Sequence, residues 1–180
     1  MTPLLGGRFS ALAASPVVGL ERRMLRFKPL RAMKTPVDAL VITCMDARLH
    51  RADRVSLGEF LRGKHVAIRA WDLVSLPGGV RGLVAHDQGS MKDTLLQSVK
   101  VAHDLHRVTK VFLINHSDCG AYGGTGAFAD ATEEYRKHAE DLRAARAVVR
   151  ETLPNLDVVL FFATIEDRAD GPFVTFDEVR

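Results

Sequence analysis

The two cysteines of this chain each stand in a short run rich in groups that bind metals or move protons. Thr43-Cys44-Met45-Asp46-Ala47-Arg48 offers a thiol, a carboxylate and a guanidinium, and His116-Ser117-Asp118-Cys119-Gly120 offers an imidazole, a carboxylate and the second thiol. Two thiolates and one imidazole are soft to borderline ligands that suit zinc. Three protein ligands leave a fourth tetrahedral position for water, which is the open arrangement of a catalytic site. A fourth Cys or His would close it, and His50 and His138 are the candidates, although neither stands in a motif. Each residue also has a plainer reading. A strand cysteine is commonly a small buried apolar residue, His116 alone is a hydrogen-bonded strand-end histidine, and Asp46 with Arg48 alone is a surface ion pair in a turn. The coincidence of both thiols with these neighbours favours a shared metal.

Cys44 and His116 are 72 residues apart, so only the fold can bring them together. From residue 37 onward short apolar runs alternate with helical segments. The runs 37–44, 64–70, 110–115 and 156–165 are rich in β-branched residues and nearly continuous in apolarity, as strands covered on both faces are. Between them, 90–107 places Leu95, Leu96, Val99, Ala102 and Leu105 at helical spacing. Residues 130–153 do the same through Tyr135, Ala139, Leu142, Ala145, Val149 and Leu153, with Asp130 and Glu133 spaced as a capping box. Asp170-Gly171-Pro172 reads as a turn before a last strand at 173–176. The expected fold class is α/β, a single domain over 37–180 with a mostly parallel central sheet flanked by helices. Both motifs leave the carboxyl ends of predicted strands, the edge at which open α/β sheets build sites.

The composition agrees. In 180 residues, 47% hydrophobic and 26% charged describe one packed domain, and no apolar run is long enough to span a membrane. The net charge is +3, but the first forty residues carry +5 and the rest −2, so the basicity belongs to an N-terminal arm over 1–36 and not to a nucleic-acid-binding face. Two cysteines are too few for a disulfide scaffold, which points to a reducing, cytoplasmic setting. Targeting by the arm stays open, and the alternative for it is a segment that embraces a neighbouring subunit.

Cys44-Met45-Asp46-Ala47-Arg48 together with His116-Ser117-Asp118-Cys119-Gly120 resembles the zinc signature of the β-class carbonic anhydrases. The resemblance implies a β-carbonic-anhydrase-like sheet, zinc (Zn2+) on Cys44, His116 and Cys119, and Asp46 and Arg48 as the catalytic acid and guanidinium pair beside it. It implies a lyase that interconverts CO2 and bicarbonate through a zinc-bound hydroxide, in a homodimer or larger assembly. Two thiolates donate charge to the metal, so activity should favour alkaline pH. Asp46 is either held off the zinc by Arg48 or is itself the fourth ligand, since the family is known in both arrangements.

Asp118 and Gly120 are further candidates for contact with substrate or for support of the metal ligands. Gly78 and Gly79 could turn backbone N–H groups towards bicarbonate or another anion, with an ordinary loop as the plainer reading. In better-known members the second strand runs into Arg-Asn-Ala-Gly, whereas Arg69 here is followed by Ala70-Trp71-Asp72. This places the chain in a divergent branch, makes residues 73–89 an addition, and offers Trp71 and Asp72 as a substitute pocket wall. Two other readings keep the zinc: hydrolysis of another small substrate such as COS or CS2, and a non-catalytic zinc or anion-binding module. A redox role for the two thiols is a fourth. Gly123-Gly124-Thr125-Gly126 lacks the Gly-Lys-Ser/Thr ending of a phosphate loop, and His103 and His106 read as solvent-facing helix residues.

Overall fold

The structure is a computed structural model that describes residues 37–51, 56–63, 66–86 and 89–180. The arm expected over 1–36 lies outside those residues. Five strands form one sheet in the order β2-β1-β3-β4-β5, with β1 at Ala39–Cys44, β2 at Trp71–Leu76, β3 at Lys110–His116, β4 at Asp157–Arg168 and β5 at Gly171–Glu178. The first four are parallel and β5 is antiparallel to β4. The α/β expectation, with its mostly parallel sheet, holds.

Alternation along each strand sends side chains into two cores, one on each face. Leu40, Ile42, Val111, Leu113, Val158 and Leu160 meet α2 (Arg81–Val84), α3 (Gly89–His106) and α4 (Ala131–Thr152). Ala39, Val41, Phe112, Ile114, Phe161 and Ala163 meet Leu57 and Leu61 of α1 (Leu57–Arg62) and Val174 of β5. Covering on both faces is what the β-branched, nearly continuous apolar runs required. Phe60 of α1 closes this second core by stacking on Phe176 at 4.2 Å and meeting Phe161 edge-on at 4.8 Å.

The second strand is a correction. Of the expected strand 64–70, the described residues 66–70 form a turn and an extended lead-in, because Ala67 adopts φ 55° and breaks the pleat. Asp38 then ties this lead-in to the start of β1. Its carboxylate accepts from the N–H groups of Arg69 (2.8 Å) and Ala70 (3.1 Å), and its own N–H donates to the Ala70 carbonyl at 2.8 Å. The strand begins at Trp71, and its register runs from Ala39↔Trp71 to Cys44↔Leu76. It was hidden because an edge strand in Trp-Asp-Leu-Val-Ser-Leu is only half-buried and lacks the apolar continuity of its neighbours. Residues 73–86 comprise most of β2, a turn and α2.

The long helices match their spacing to within a residue or two, with exceptions in detail. Leu105 is 72% exposed and Tyr135 39% exposed, so neither belongs to the core. Asp130 caps α4 by accepting from the Glu133 N–H at 2.8 Å, but Glu133 reaches one residue past the cap, to the Ala129 N–H at 2.7 Å. Among the described residues, no helix is long and apolar enough to cross a membrane.

Candidate metal centre

The chain order decides where the two motifs meet. From β1 the chain crosses to β2 on one side, then returns past β1 to lay down β3 on the other. The crossovers diverge between β1 and β3, and open α/β sheets place their sites outside the carboxyl ends of the strands at such a switch point. Cys44 is the last residue of β1 and His116 the last of β3. Cys119 follows after a two-residue turn that β4 fixes: the Ser117 N–H donates to the Ala163 carbonyl at 2.9 Å, and Ser117 Oγ accepts from the Ile165 N–H at 2.8 Å.

Cys44, His116 and Cys119 are buried, and their ligand atoms lie within 4.8 Å of one another. Among the described residues they form the one cluster able to hold a metal ion. The sulfurs are 3.9 Å apart, and tetrahedral geometry with Zn–S bonds of about 2.3 Å separates two sulfurs by about 3.8 Å. His116 Nδ1 lies 2.8 Å from the Ser117 carbonyl, which fixes the proton on Nδ1. Nε2 is left with its lone pair, buried and without a hydrogen-bond partner. A buried acceptor without a donor is costly unless something fills it, and a cation bound by Nε2 and both sulfurs does so. The residues present fit zinc.

Backbone amides support the sulfurs. Those of Asp46 and Gly78 face Cys44, and those of Ala121 and Tyr122 face Cys119. Without a cation the thiols divide one proton. The Cys119 thiol donating to Cys44 holds the latter down to about 4, while Cys119, beside that negative sulfur and buried, is pushed far above the usual thiol range. A divalent ion between them favours two thiolates.

Asp46 opens a single 3-10 turn (Ala47–Leu49), and its Oδ1 accepts from the Arg48 backbone N–H at 2.9 Å. The Arg48 guanidinium grips the same carboxylate, Nε to Oδ1 at 3.0 Å and Nη2 to Oδ2 at 2.7 Å. It also reaches the second motif, with Nη1 to Asp118 Oδ2 at 2.9 Å and Nη2 to the Asp118 carbonyl at 3.2 Å. Arg48 holds both carboxyl groups below the usual range, and they hold its own pKa up. Asp118, expected to touch substrate or support the metal ligands, is hydrogen-bonded to Arg48.

The glycines are explained by close approach. Gly79 has φ 42°, and a Cβ there would fall 2.4 Å from the carbonyl carbon of Thr43; Gly78 has φ 68°, and its Cβ would fall 2.7 Å from Ala121 Cβ. The Pro77-Gly78-Gly79 turn thus packs its bare backbone against both ligand-bearing segments, and the sulfur of Cys44 is what the Gly78 amide faces. Gly120 is exposed, with open space where a side chain would project.

Two expectations fail by geometry. Trp71 pairs with Ala39, five residues down β2 from the Leu76 that pairs with Cys44, or about 16 Å at 3.3 Å per residue. Trp71 and Asp72 therefore do not wall the site; Arg62 lies over the Trp71 ring, and Asp72 meets His106 Nδ1 at 2.6 Å. Neither His50 nor His138 joins the cluster: His50 Nε2 donates to the Cys44 carbonyl at 3.0 Å, and His138 packs on Tyr122 with ring centres 4.1 Å apart.

His138 is fully buried, and neither ring nitrogen has a partner. Burial, with a smaller push from His116 and Lys137 against the pull of Asp141, lowers its pKa from 6.5 to about 4. The unfolded chain then takes up this proton first, so the stability conferred by a neutral His138 is complete above pH 6.5 and is lost as pH falls towards 4. About 3 kcal/mol is expected to disappear over that window. Urea unfolding at pH 7, 5.5 and 4 should show His138→Phe losing less than the parent; equal losses would assign the acid sensitivity elsewhere.

Glu134 escaped the sequence reading. It is 2% exposed on the inner face of α4, and its Oε1 accepts from the Asp118 N–H at 2.6 Å while Oε2 accepts from Thr125 Oγ1 at 3.2 Å. The signal was present: Glu134, His138 and Leu142 are four apart, so an acid and an imidazole sit on the stripe that buries Leu142, Ala145 and Val149.

Residues 35–169 match the model of a family described as "Putative carbonic anhydrase". The chain belongs to that family. It is similar to an uncharacterized protein of Rickettsia bellii, 28% identical over 160 residues and covering 86% of this chain and 91% of that one. A second, from Rickettsia conorii, is 26% identical over 159 residues, covering 86% and 80%. Among solved structures it is similar to a β-carbonic anhydrase of Trichomonas vaginalis at 15% identity, over 79% of this chain and 84% of that one, with a TM-score of 0.46.

Proposed function

We propose that the chain is a zinc-dependent lyase of the β class that interconverts CO2 and bicarbonate, with zinc on Cys44 Sγ, His116 Nε2 and Cys119 Sγ. The observation that carries the reading is the Asp46–Arg48 pair held between the two ligand-bearing turns, with the Asp46 amide facing one ligand sulfur and Arg48 bound to the residue before the other. Zinc held by these residues would supply Lewis acidity that strongly lowers the pKa of a bound water, less so than an all-histidine site because two thiolates donate charge, so a nucleophile for the carbon of CO2 would be available at alkaline pH.

The rest falls to the chain's own side chains. Arg48 engages the Asp46 carboxylate with two guanidinium hydrogen bonds and its own backbone N–H, which fixes the plane and keeps it charged. With both lone pairs of Oδ1 and one of Oδ2 taken by Arg48, the remaining lone pair of Asp46 Oδ2 accepts the O–H of the attacking oxygen nucleophile, leaving an oxygen lone pair for the carbon. Because Arg48 already neutralises Asp46, the carboxylate stays off the metal and the fourth position stays open. A reducing, cytoplasmic setting suits a site whose ligands must remain thiolates. The expectation of a homodimer or larger assembly is part of this proposal, supported by the edge position of β2 and by Leu73, 46% exposed upon it; sedimentation of the purified chain tests it.

The decisive experiment pairs metal analysis with stopped-flow CO2 hydration. One zinc per chain and turnover are expected for the parent. Asp46→Asn and Arg48→Ala should keep the zinc and lose at least about 100-fold in turnover, the lower end of what a positioned acid or base contributes. Zinc without turnover at any pH would leave a binding module, and sulfide release from COS or CS2 without CO2 hydration would move the chemistry to another substrate.

A further inference from the structure

The geometry points to Glu134 as a positioning residue that sets the Asp46–Arg48 pair from α4 through the backbone of Asp118. Asp118 is a non-glycine residue at φ 54°, a conformation that costs about 1–2 kcal/mol and persists only where its surroundings impose it. Glu134 imposes it. Its carboxylate, almost wholly buried, takes the Asp118 N–H through Oε1 and clamps the Thr125 hydroxyl through Oε2. The Thr125 N–H in turn donates to Asp118 Oδ1 at 3.2 Å, which orients the side chain. With main chain and carboxylate both fixed, Asp118 presents its carbonyl and Oδ2 to the two terminal nitrogens of Arg48. The other edge of the guanidinium holds Asp46.

The sequence of contacts has a direction. Arg48 is a long side chain, about a quarter exposed, whose rotamers would otherwise be free. Among the described residues, Asp118 supplies its only hydrogen-bond anchors outside its own turn, and Glu134 anchors Asp118. Removing the Glu134 acceptor leaves the part-buried Asp118 N–H without this partner at the turn between His116 and Cys119. The turn relaxes away from φ 54°, the carbonyl of Asp118 rotates, and Arg48 loses the contacts that hold it in line with Asp46. The Glu134 carboxylate is hydrogen-bonded to Asp118 and Thr125 and not to Asp46 or a ligand sulfur, so its effect is on geometry and not on the reaction directly.

The inference rests on the zinc-lyase reading for the effect on turnover, but not for the effect on Arg48, and the test separates the two. Glu134→Leu removes the acceptor. Glu134→Gln keeps an oxygen for the Asp118 N–H, with its amide facing the Thr125 hydroxyl. Glu134→Asp keeps the charge but withdraws it by one carbon, and serves wherever the leucine variant does not fold. The first readout is exchange of the Arg48 Nε–H with solvent, followed by NMR in the zinc-loaded protein. We expect at least about tenfold faster exchange in Glu134→Leu and Glu134→Asp, and parent-like exchange in Glu134→Gln. The second is stopped-flow CO2 hydration at one zinc per chain, where loss of an outer hydrogen-bond partner typically costs about 10–100-fold. That loss should fall on kcat, be rescued by Glu134→Gln, and vanish in an Arg48→Ala background, since a residue acting through Arg48 has nothing left to position.

Unchanged Arg48 exchange in Glu134→Leu and Glu134→Asp overturns the inference. So does a turnover loss that is as large in the Arg48→Ala background as in the parent, which would make Glu134 a structural residue only. A parent without CO2 turnover overturns the proposed function, while the exchange measurement still decides the role of Glu134.

Discussion

Cys119→Ser is expected to yield a folded protein with essentially no zinc and no measurable CO2 hydration. Cys119 is 2% exposed and shares its cavity with the Cys44 sulfur 3.9 Å away and the unpartnered Nε2 of His116. Serine fills nearly the same space, so the two cores on either side of the sheet are undisturbed. Its hydroxyl, however, does not ionise in the range where a thiol beside a cation does, and it is a harder donor than zinc prefers. The loss should exceed the roughly 10–100-fold that follows removal of outer partners of metal ligands, because a bond to the ion itself is removed. Metal content by mass spectrometry and the urea midpoint should be read together. Serine protein with a full complement of zinc would remove Cys119 from the site, and with it the proposed function.

Gly79→Ala is expected to be among the most damaging single-atom additions in the molecule. The added Cβ would lie 2.4 Å from the Thr43 carbonyl carbon, 2.6 Å from its oxygen and 2.7 Å from the Cys44 nitrogen. All three are backbone atoms of a central strand, which cannot move as the end of a side chain can. The left-handed conformation adds about 1–2 kcal/mol for a non-glycine residue, and overpacking about 1–3 kcal/mol, for a combined loss of about 3 kcal/mol in urea unfolding. The displaced atoms carry Cys44, so zinc content should fall with stability. Gly126→Ala is the control: its Cβ would meet nothing within 4 Å, and the change should lie within about 0.5 kcal/mol of the parent. Equal behaviour of the two variants would mean that the turn after β2 does not press on the ligand strand.

How much of this was legible in the sequence varies by residue. Strands β1, β3 and β4 were readable because burial on both faces leaves a continuous apolar run, and α3 and α4 because their buried positions recur at helical spacing. Strand β2 was not, since one free edge and two half-covered faces leave no such run, and the error moved Trp71 and Asp72 from the far end of a strand into an imagined pocket. The glycines of the Pro77-Gly78-Gly79 turn read as loop residues with spare amides; their closeness to Thr43 and Ala121 is a contact between segments distant in sequence. Glu134 was visible as an acid on an apolar stripe, but its partner, a backbone N–H sixteen residues earlier, carries no side-chain signature.

By itself the sequence determined the chemistry on offer: two thiols, one imidazole and a carboxylate with its guanidinium, each fixed to the end of a strand by local pattern. Side-chain type and local spacing are written residue by residue, so ligand preference and element type can be read from them. Only the tertiary structure decided that these groups converge, that Nε2 of His116 faces the sulfurs, and that Arg48 reaches across to Asp118. Those facts follow from which strands become neighbours where the strand order reverses in the sheet, and that is settled by the packing of both cores together, which no local stretch of sequence contains.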